Sequence, residues 1–175
     1  MSTFVRRARL EDFERIYEIW LAGIENSLGG RPPDGINYEA YYRERVLRSD
    51  DIFPFFVVEN KGEVVSWASA TPYRANPAVR RSMAEISAYT DPSHQGGLAT
   101  KMVLSALFKH ADQCPHMHLL VAFTADTNTA AERLCKYFSM QKVYSIKPSS
   151  KHPDFEMKNM FIYVCAATSD HPVPP

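Results

Sequence analysis

A strand, a glycine-containing loop and a helix follow one another in the middle of the chain, and this succession constrains the fold more than any other feature. Residues 84–90 are rich in strand formers and stop at Asp91-Pro92. A glycine loop then opens a segment whose apolar residues recur at helical spacing up to Ala111, and residues 117–124 form the next buried strand. Because a strand–helix–strand crossover returns in the same direction, these two strands are predicted to be parallel.

The segments around this unit predict antiparallel hairpins and further helices. Apolar and aromatic runs separated by turn signals predict strands at 4–9, 53–59, 64–71, 141–146 and 155–165. Apolar residues at helical spacing, or residues typical of a helix N-terminus, predict helices at 13–24, 38–47 and 128–138. A Gly-Pro insert at 29–33 follows the first of these helices. The fold class is therefore α/β (α+β): one domain with a central mixed, mostly antiparallel twisted sheet of six to seven strands and helices on both faces.

Length and composition favour one domain and a small or neutral partner. The chain of 175 residues fits a single domain, predicted at 1–167, with a disordered tail at 168–175. Its 20 basic and 20 acidic residues give a net charge of zero, which argues against nucleic acid and an anionic membrane as partners. No apolar run approaches the length of a membrane span.

The cysteines and histidines indicate a reducing compartment and no metal site. Three scattered cysteines, Cys114, Cys135 and Cys165, are typical of intracellular proteins and lack metal-ligand spacing, so a cytoplasmic location is predicted. His116 and His118 alternate on one strand without further ligands, and no metal cofactor is expected.

The central loop has the features of an anion site. Backbone amides at the start of a helix point outward, and the positive end of the helix favours phosphate groups. Glycine turns are common, however, and a helix start without any ligand explains this feature equally well when it is considered alone.

The stretch from residue 84 to residue 100 also resembles the central motif of the GNAT superfamily of N-acetyltransferases, a strand followed by Pro-x-x-Gln/Arg-x-x-Gly-x-Gly/Ala and a helix. The matching positions are Pro92, Gln95, Gly97 and Ala99. One residue fewer separates Gln95 from Gly97 than in the family pattern, so either the loop is shorter or His94 takes the Gln/Arg place.

The resemblance implies acetyl-CoA as co-substrate. In the family, loop amides hold the coenzyme pyrophosphate, and the strand before the loop splays to pair with the pantetheine arm and to bind the thioester oxyanion. A helix-capping Asn also contacts the coenzyme. The cofactor-binding residues implied for this chain are Ala88, Tyr89, Thr90, Gln95, Gly96, Gly97, Leu98, Ala99, Thr100 and Asn128.

Two flanking stretches strengthen the resemblance, and one of them points to a particular branch of the family. Residues 65–76 resemble the strand-to-loop segment of the phosphinothricin and methionine-sulfoximine N-acetyltransferase branch, with Thr71 in place of a glycine. Residues 128–140 resemble the family's Asn-x-x-Ser/Ala-x-x-Leu-x-x-x-Gly-aromatic helix, with Ser139 and Met140 in place of the terminal Gly-aromatic pair. The implied function is acetyl-CoA-dependent acetylation of the amino group of a small molecule, such as an amino acid, phosphinothricin or methionine sulfoximine. The implied assembly is a homodimer.

Candidate catalytic and substrate residues follow from the same comparison. Glu85 matches an acidic strand residue thought to take the amine proton, and a plain strand-edge carboxylate is the alternative. Arg74 suits a carboxylate or phosphinate, although a solvated surface arginine explains it too. Trp67 and Tyr73 are predicted to line the substrate pocket, with core packing as the alternative. No general acid is assigned to Cys135 or Tyr137.

Two other functions remain open at this point. A non-catalytic acyl-CoA-binding or regulatory domain of the same fold is compatible with the short loop and with the lack of a Tyr directly after Leu134. A nucleotide-binding α/β module is disfavoured because neither Gly-x-x-x-x-Gly-Lys-Ser/Thr nor Gly-x-Gly-x-x-Gly occurs.

Overall fold

A computed structural model describes residues 2–27, 35–96, 98–147 and 159–167. Three features expected from the sequence lie outside these residues, namely the Gly-Pro insert at 29–33, the motif glycine Gly97 and the tail at 168–175.

Over the described residues the chain forms seven strands and four helices. The strands are β1 (Thr3–Arg7), β2 (Phe55–Asn60), β3 (Glu63–Pro72), β4 (Met83–Thr90), β5 (Leu119–Ala125), β6 (Gln141–Ile146) and β7 (Met160–Ala166). The helices are α1 (Phe13–Ser27), α2 (Tyr38–Leu47), α3 (Ala99–Gln113) and α4 (Thr129–Tyr137). Short 3₁₀ turns precede α1 and α3, at Leu10–Asp12 and Pro92–His94.

These strands form one mixed sheet in the order β1-β2-β3-β4-β5-β7-β6. Among the described strands, β4 and β5 are the parallel pair and every other neighbouring pair is antiparallel. The predicted fold class is therefore confirmed, including the parallel crossover through α3. Strand β5 begins at Leu119 rather than at Met117, because Met117 still belongs to a turn in which its N–H donates to Cys114 O at 3.2 Å.

Helices cover both faces of this sheet, and each face has its own core. On one face, α3 and α4 bury residues such as Val103, Leu107 and Phe138 against β2–β5 and β7. On the other face, α1 and α2 bury Ile16 and Trp20, among others, against β2 and β3. Burial of each large apolar side chain contributes about 1.5–3 kcal/mol, so the two cores fix the helices on the sheet and hold its central strands in place.

Candidate active site

The parallel pair of strands separates partway along its length. Strand β4 pairs with β5 through Met83, Ala84 and Glu85, and the last pair is Glu85 with Val121. Beyond this point β4 stays paired with β3 as far as Thr90, whereas β5 follows β7. The two strands therefore diverge, and the edge of β4 that faces β5 has no strand partner after Glu85 within the described chain.

A cleft of about 370 Å³ fills the opening between the diverging strands. Strand β4 lines it with Ile86–Tyr89 and β5 lines it with Ala122–Thr124. Side chains from α3 and α4 contribute on one side, and the aromatic side chains of α1 and α2 on the other. The lining residues from the helices are Trp20, Tyr38, Tyr41, Tyr42, Arg45, Thr100, Leu104, Phe108, Ala131, Leu134, Cys135 and Phe138. An extended ligand can thus lie along the free edge of β4.

A second cavity, of about 900 Å³, lies beside this cleft. It is bounded by α2, by the end of β3 and by residues 73–75, with Arg80 at its rim. Three residues line both cavities, namely Tyr41, Arg45 and Glu85. The carboxylate of Glu85 consequently stands where two separately bound molecules would meet.

Glu85 is half-buried, and its surroundings alter its acidity. Burial raises the pKa of Glu85 because the charged form loses hydration, while the positive charge of Arg45 acts in the opposite direction. A carboxylate with a raised pKa accepts a proton more readily than an ordinary surface glutamate. Glu85 therefore has the properties of a proton acceptor at the junction of the two cavities.

Comparison with known proteins identifies the family. The family model described as "Acetyltransferase (GNAT) domain" matches residues 3–141. The chain belongs to this GNAT family. The predicted resemblance is thereby confirmed at the family level, and the protein is an acetyltransferase by family. No curated protein matches the sequence.

Solved structures share the fold over nearly the full length. The acetyltransferase yncA from Salmonella typhimurium, described with its cofactor acetyl-CoA, is 25% identical with a TM-score of 0.78, covering 100% of this chain and 99% of its own. A ribosomal-protein-alanine N-acetyltransferase from Brucella melitensis is 23% identical, with a TM-score of 0.79 and coverages of 93% and 99%. A phosphinothricin acetyltransferase from Sinorhizobium meliloti, in complex with AcCoA, is 19% identical, with a TM-score of 0.79 and coverages of 100% and 94%.

In this GNAT domain, the loop between β4 and α3 is held from outside by α1. Asp91 caps the 3₁₀ turn by accepting a hydrogen bond from Ser93 N at 2.8 Å, and its other oxygen pairs with the guanidinium of Arg15. The hydrogen bonds from Ser93 and the charge of Arg15 lower the pKa of Asp91 to about 2, although burial opposes the shift. Asp91 is thus ionised throughout the neutral range and anchors the loop.

Buried hydroxyl groups fix the start of α3 to the sheet. The hydroxyls of Ser66 and Thr90 share a hydrogen bond of 2.7 Å, and those of Thr90 and Thr100 share one of 2.6 Å. Ser66 also donates to Tyr89 O at 3.1 Å. This chain of hydroxyls joins β3, β4 and the first turn of α3, so the free edge of β4 and the helix start keep a fixed relative position.

The predicted cofactor residues occupy three kinds of position. Ala88, Tyr89, Thr100 and Asn128 line the cleft, and Asn128 also caps α4 by accepting from Ala131 N at 3.0 Å. In the β4–α3 loop Gln95, Gly96 and Leu98 are exposed, and Gly96 adopts a φ of 80°. Thr90 and Ala99, at the two ends of that loop, are buried. Gly97 lies outside the described residues.

The predicted substrate residues separate into two groups. Tyr73 and Arg74 line the second cavity beside Glu85. Trp67 lines neither cavity, contrary to the expectation that it faces a substrate pocket. It is 0% exposed and packs in the core of the α1 and α2 face, where its Nε1 donates to Ile16 O at 3.0 Å. Its ring lies 4.8 Å from that of Tyr89, so it supports a cleft residue from behind.

Sequence reasoning missed the contribution of α2. Arg45 lines both cavities, and its guanidinium lies 5.5 Å from the ring centroid of Tyr41 and 5.2 Å from that of Tyr42. The helix carries aromatic and charged residues without a clear apolar stripe. That pattern is unusual for a helix with buried positions, and it was the available signal for a helix that lines a cavity.

Cys135 and Tyr137 differ in their surroundings. Burial raises the pKa of Cys135 to about 12, so this cleft-lining thiol stays protonated at neutral pH. The ring of Tyr137 is covered by Lys101 Nζ at 4.5 Å from the centroid. In the described part of the chain, no group of three or more His, Cys, Asp or Glu side chains is arranged to hold a metal ion. No helix there is long and apolar enough to cross a membrane.

Proposed function

We propose that this GNAT acetyltransferase uses acetyl-CoA to acetylate the amino group of a small molecule, an amino acid or an analogue such as phosphinothricin or methionine sulfoximine. One observation carries the proposal, namely that Glu85 lines both the cleft between the diverging strands and the neighbouring cavity. From this position the Glu85 carboxylate can contact a molecule bound in the cleft or in the second cavity. The second cavity, at about 900 Å³, has room for a small acceptor.

The cleft suits the coenzyme in shape and in hydrogen-bonding groups. The unpaired edge of β4 at residues 86–90 presents backbone N–H and C=O groups to a linear amide-containing chain, as a neighbouring strand would. The first turn of α3 at Ala99 and Thr100 presents backbone amides for phosphate groups. Acetyl-CoA supplies the acetyl group as a thioester. The complexes described for the Salmonella and Sinorhizobium neighbours support this assignment.

Glu85 acts as the base in this proposal. An amine is protonated at neutral pH and cannot attack a carbonyl carbon until it loses a proton. The Glu85 carboxylate takes that proton, directly or through a water molecule, and later releases it to solvent. The nitrogen then forms the new C–N bond, and the second proton that it loses as the amide forms goes to the departing coenzyme thiolate. Backbone amides at 88–90 stabilise the oxyanion that develops during the attack, before the thiolate departs.

We also propose the domain bounds, the assembly and the cellular location that were expected from the sequence. The domain extends over residues 1–167, and the protein works as a homodimer in the cytoplasm. Three cysteines that form no disulfide are consistent with a reducing compartment. Light scattering across a tenfold concentration range tests the assembly, and a constant monomer mass removes the dimer without affecting the enzyme proposal.

Ligand-induced stabilisation and thiol release together test the function. The melting temperature is measured with acetyl-CoA, CoA, ATP and NAD, and a ligand at 100 times its Kd adds about 2.7 kcal/mol of stability. Thiol release from acetyl-CoA is then followed with amino acids, polyamines and a short peptide. Stabilisation by acetyl-CoA with release on a free amino acid supports the proposal. Stabilisation without release on any amine indicates a binding domain, and stabilisation by ATP or NAD alone refutes the acetyltransferase.

A further inference from the structure

Arg45 is a half-buried cation in the second cavity, called the acceptor cavity from here on. It stands on α2 and lines the cavity together with Glu85. Its Nη2 donates to Ser69 Oγ at 2.6 Å, and its guanidinium packs against the rings of Tyr41 and Tyr42. These contacts orient the guanidinium towards the cavity, and they leave its Nε buried.

The charge of Arg45 is not balanced by a direct ion pair within the described chain. Its Nε is buried and has no hydrogen-bond acceptor among these residues. Removing a guanidinium from water without a carboxylate or an equivalent acceptor is costly, so such groups are normally paired. An anionic group on a bound molecule would provide the missing partner, and the planar guanidinium suits a carboxylate.

The rest of the cavity has the same excess of positive charge. Four arginines line it, and Arg48 is neutralised by Glu44 at 2.5 Å. This leaves Arg45, Arg74 and Arg80 against the carboxylates of Asp50 and Glu85. The Oδ1 atom of Asp50 already accepts hydrogen bonds from the backbone N–H groups of Ile52 and Phe53, at 2.8 and 2.6 Å.

We propose that Arg45 is the specificity-determining residue of the acceptor cavity, and that it binds a carboxylate of the acceptor while Glu85 receives the proton of its amine. This inference rests on the proposed function and names the residue that selects the acceptor. The acceptor is an amino acid with a free carboxylate rather than a neutral amine or a polyamine. Arg74 and Arg80 line the same cavity as exposed side chains, and their charge favours a second carboxylate on the same molecule.

The test compares each acceptor with its carboxamide, which has nearly the same shape but lacks the charge. Alanine against alaninamide reports on the α-carboxylate, and glutamate against glutamine reports on the side-chain carboxylate, each at equal concentration of free amine. In the wild type we expect kcat/KM for the charged member of at least one pair to be 10-fold or more above that for the amide. Arg45→Met should abolish this ratio by raising KM for the acid, and Arg45→Lys should restore part of it.

Arg43→Met is the matched control because Arg43 lies on the same helix, is exposed and packs over Phe13 instead of lining a cavity. It should keep the wild-type ratio. Equal or higher activity on the amides in the wild type overturns the inference, and so does an unchanged ratio in Arg45→Met. If Arg45→Met does not fold, Arg45→Lys takes its place, because it loses the fork-shaped contact but keeps the charge. A ratio below that of the wild type then supports the inference, and an unchanged ratio overturns it. Thiol release on amides or polyamines alone refutes both this inference and the amino-acid acceptor proposed above, and it leaves the acetyltransferase activity intact.

Discussion

The ring of Tyr89 lies so close to Gly23 that a Cβ atom on Gly23 would be 2.7 Å from its Cδ1. Gly23 belongs to α1, and Tyr89 belongs to the diverging half of β4 and lines the cleft. The contact leaves no room for even a methyl group between the helix and the ring. The position of this cleft residue is therefore set by a helix on the face of the sheet.

Gly23→Ala should displace the Tyr89 ring and weaken acetyl-CoA binding by about 10-fold, a change of about 1.4 kcal/mol. Alanine favours a helix by about 1 kcal/mol over glycine, so overall stability need not fall. Titration calorimetry with acetyl-CoA measures the affinity. In a Tyr89→Ala background the same substitution should have no effect on affinity. An unchanged affinity in the single variant would show that the ring moves away from the cleft.

Glu85→Gln should separate binding from chemistry. We expect the affinity for acetyl-CoA to stay within about twofold, because the side chain is not proposed to hold the coenzyme, while kcat falls about 100-fold as base catalysis is lost. The pH profile of kcat should lose its acidic limb. Glu39→Gln, an exposed substitution on α2 that lines neither cavity, serves as control. A variant with wild-type kcat and the same acidic limb would exclude Glu85 as the base.

The same substitution should stabilise the protein in a pH-dependent way. The folded-state pKa of Glu85 is raised by burial, so the wild type loses stability as pH rises from the unfolded-state pKa through the folded-state pKa. Glutamine has no charge to bury. The melting temperature of Glu85→Gln should equal that of the wild type near pH 4 and exceed it at pH 8, with about 2–4 °C for each kcal/mol. A lower melting temperature at pH 8 would contradict the unfavourable burial of the charge.

Asp91→Asn should loosen the β4–α3 loop. The substitution removes the charge that pairs with Arg15 and weakens the hydrogen bonds from Ser93, and we expect acetyl-CoA affinity to fall about 10-fold. Because the pKa of Asp91 is lowered to about 2, its contribution to stability is present above about pH 4 and disappears as pH falls towards 2. Thermal melts from pH 2 to pH 7 follow that loss.

Glu18→Gln is the control for Asp91→Asn, because it removes another carboxylate partner of Arg15. The Glu18 side chain is 64% exposed and that of Asp91 is 14% exposed. An exposed ion pair contributes about 0–1 kcal/mol, so Glu18→Gln should leave both affinity and melting temperature nearly unchanged. Equal effects of the two substitutions would mean that Arg15, rather than the Asp91 cap, holds the loop.

The sequence predicted the elements well because their signals are local. The helix predicted at 38–47 and the strand predicted at 141–146 have those bounds in the structure. The helix after the glycine loop and the parallel crossover also follow from periodicity and chain direction. The divergence of β4 from β5 was available only through the family resemblance, since no property of residues 86–90 by itself determines where a neighbouring strand turns away.

The side chains of the site were harder to predict because strand burial is nearly complete. Residues 64–70 of β3 are buried on both faces, so alternation does not tell which face of the sheet Trp67 occupies. Arg45 acquires its significance from β3 and β4, which lie far from it in the sequence. Glu85 was recognisable because one acidic residue interrupts an otherwise apolar strand.

The free edge of β4 also bears on how this protein avoids aggregation by strand addition. Open strand edges are templates on which another polypeptide can add a strand and start a fibrillar aggregate. Here the edge lies in the interior of a sheet, opposite β5 and between helical layers on both faces, instead of at its border. Because β5 and the helical layers flank this edge, a second polypeptide cannot extend the sheet sideways from it, and the backbone groups needed for ligand recognition stay open without becoming a nucleus for misassembly.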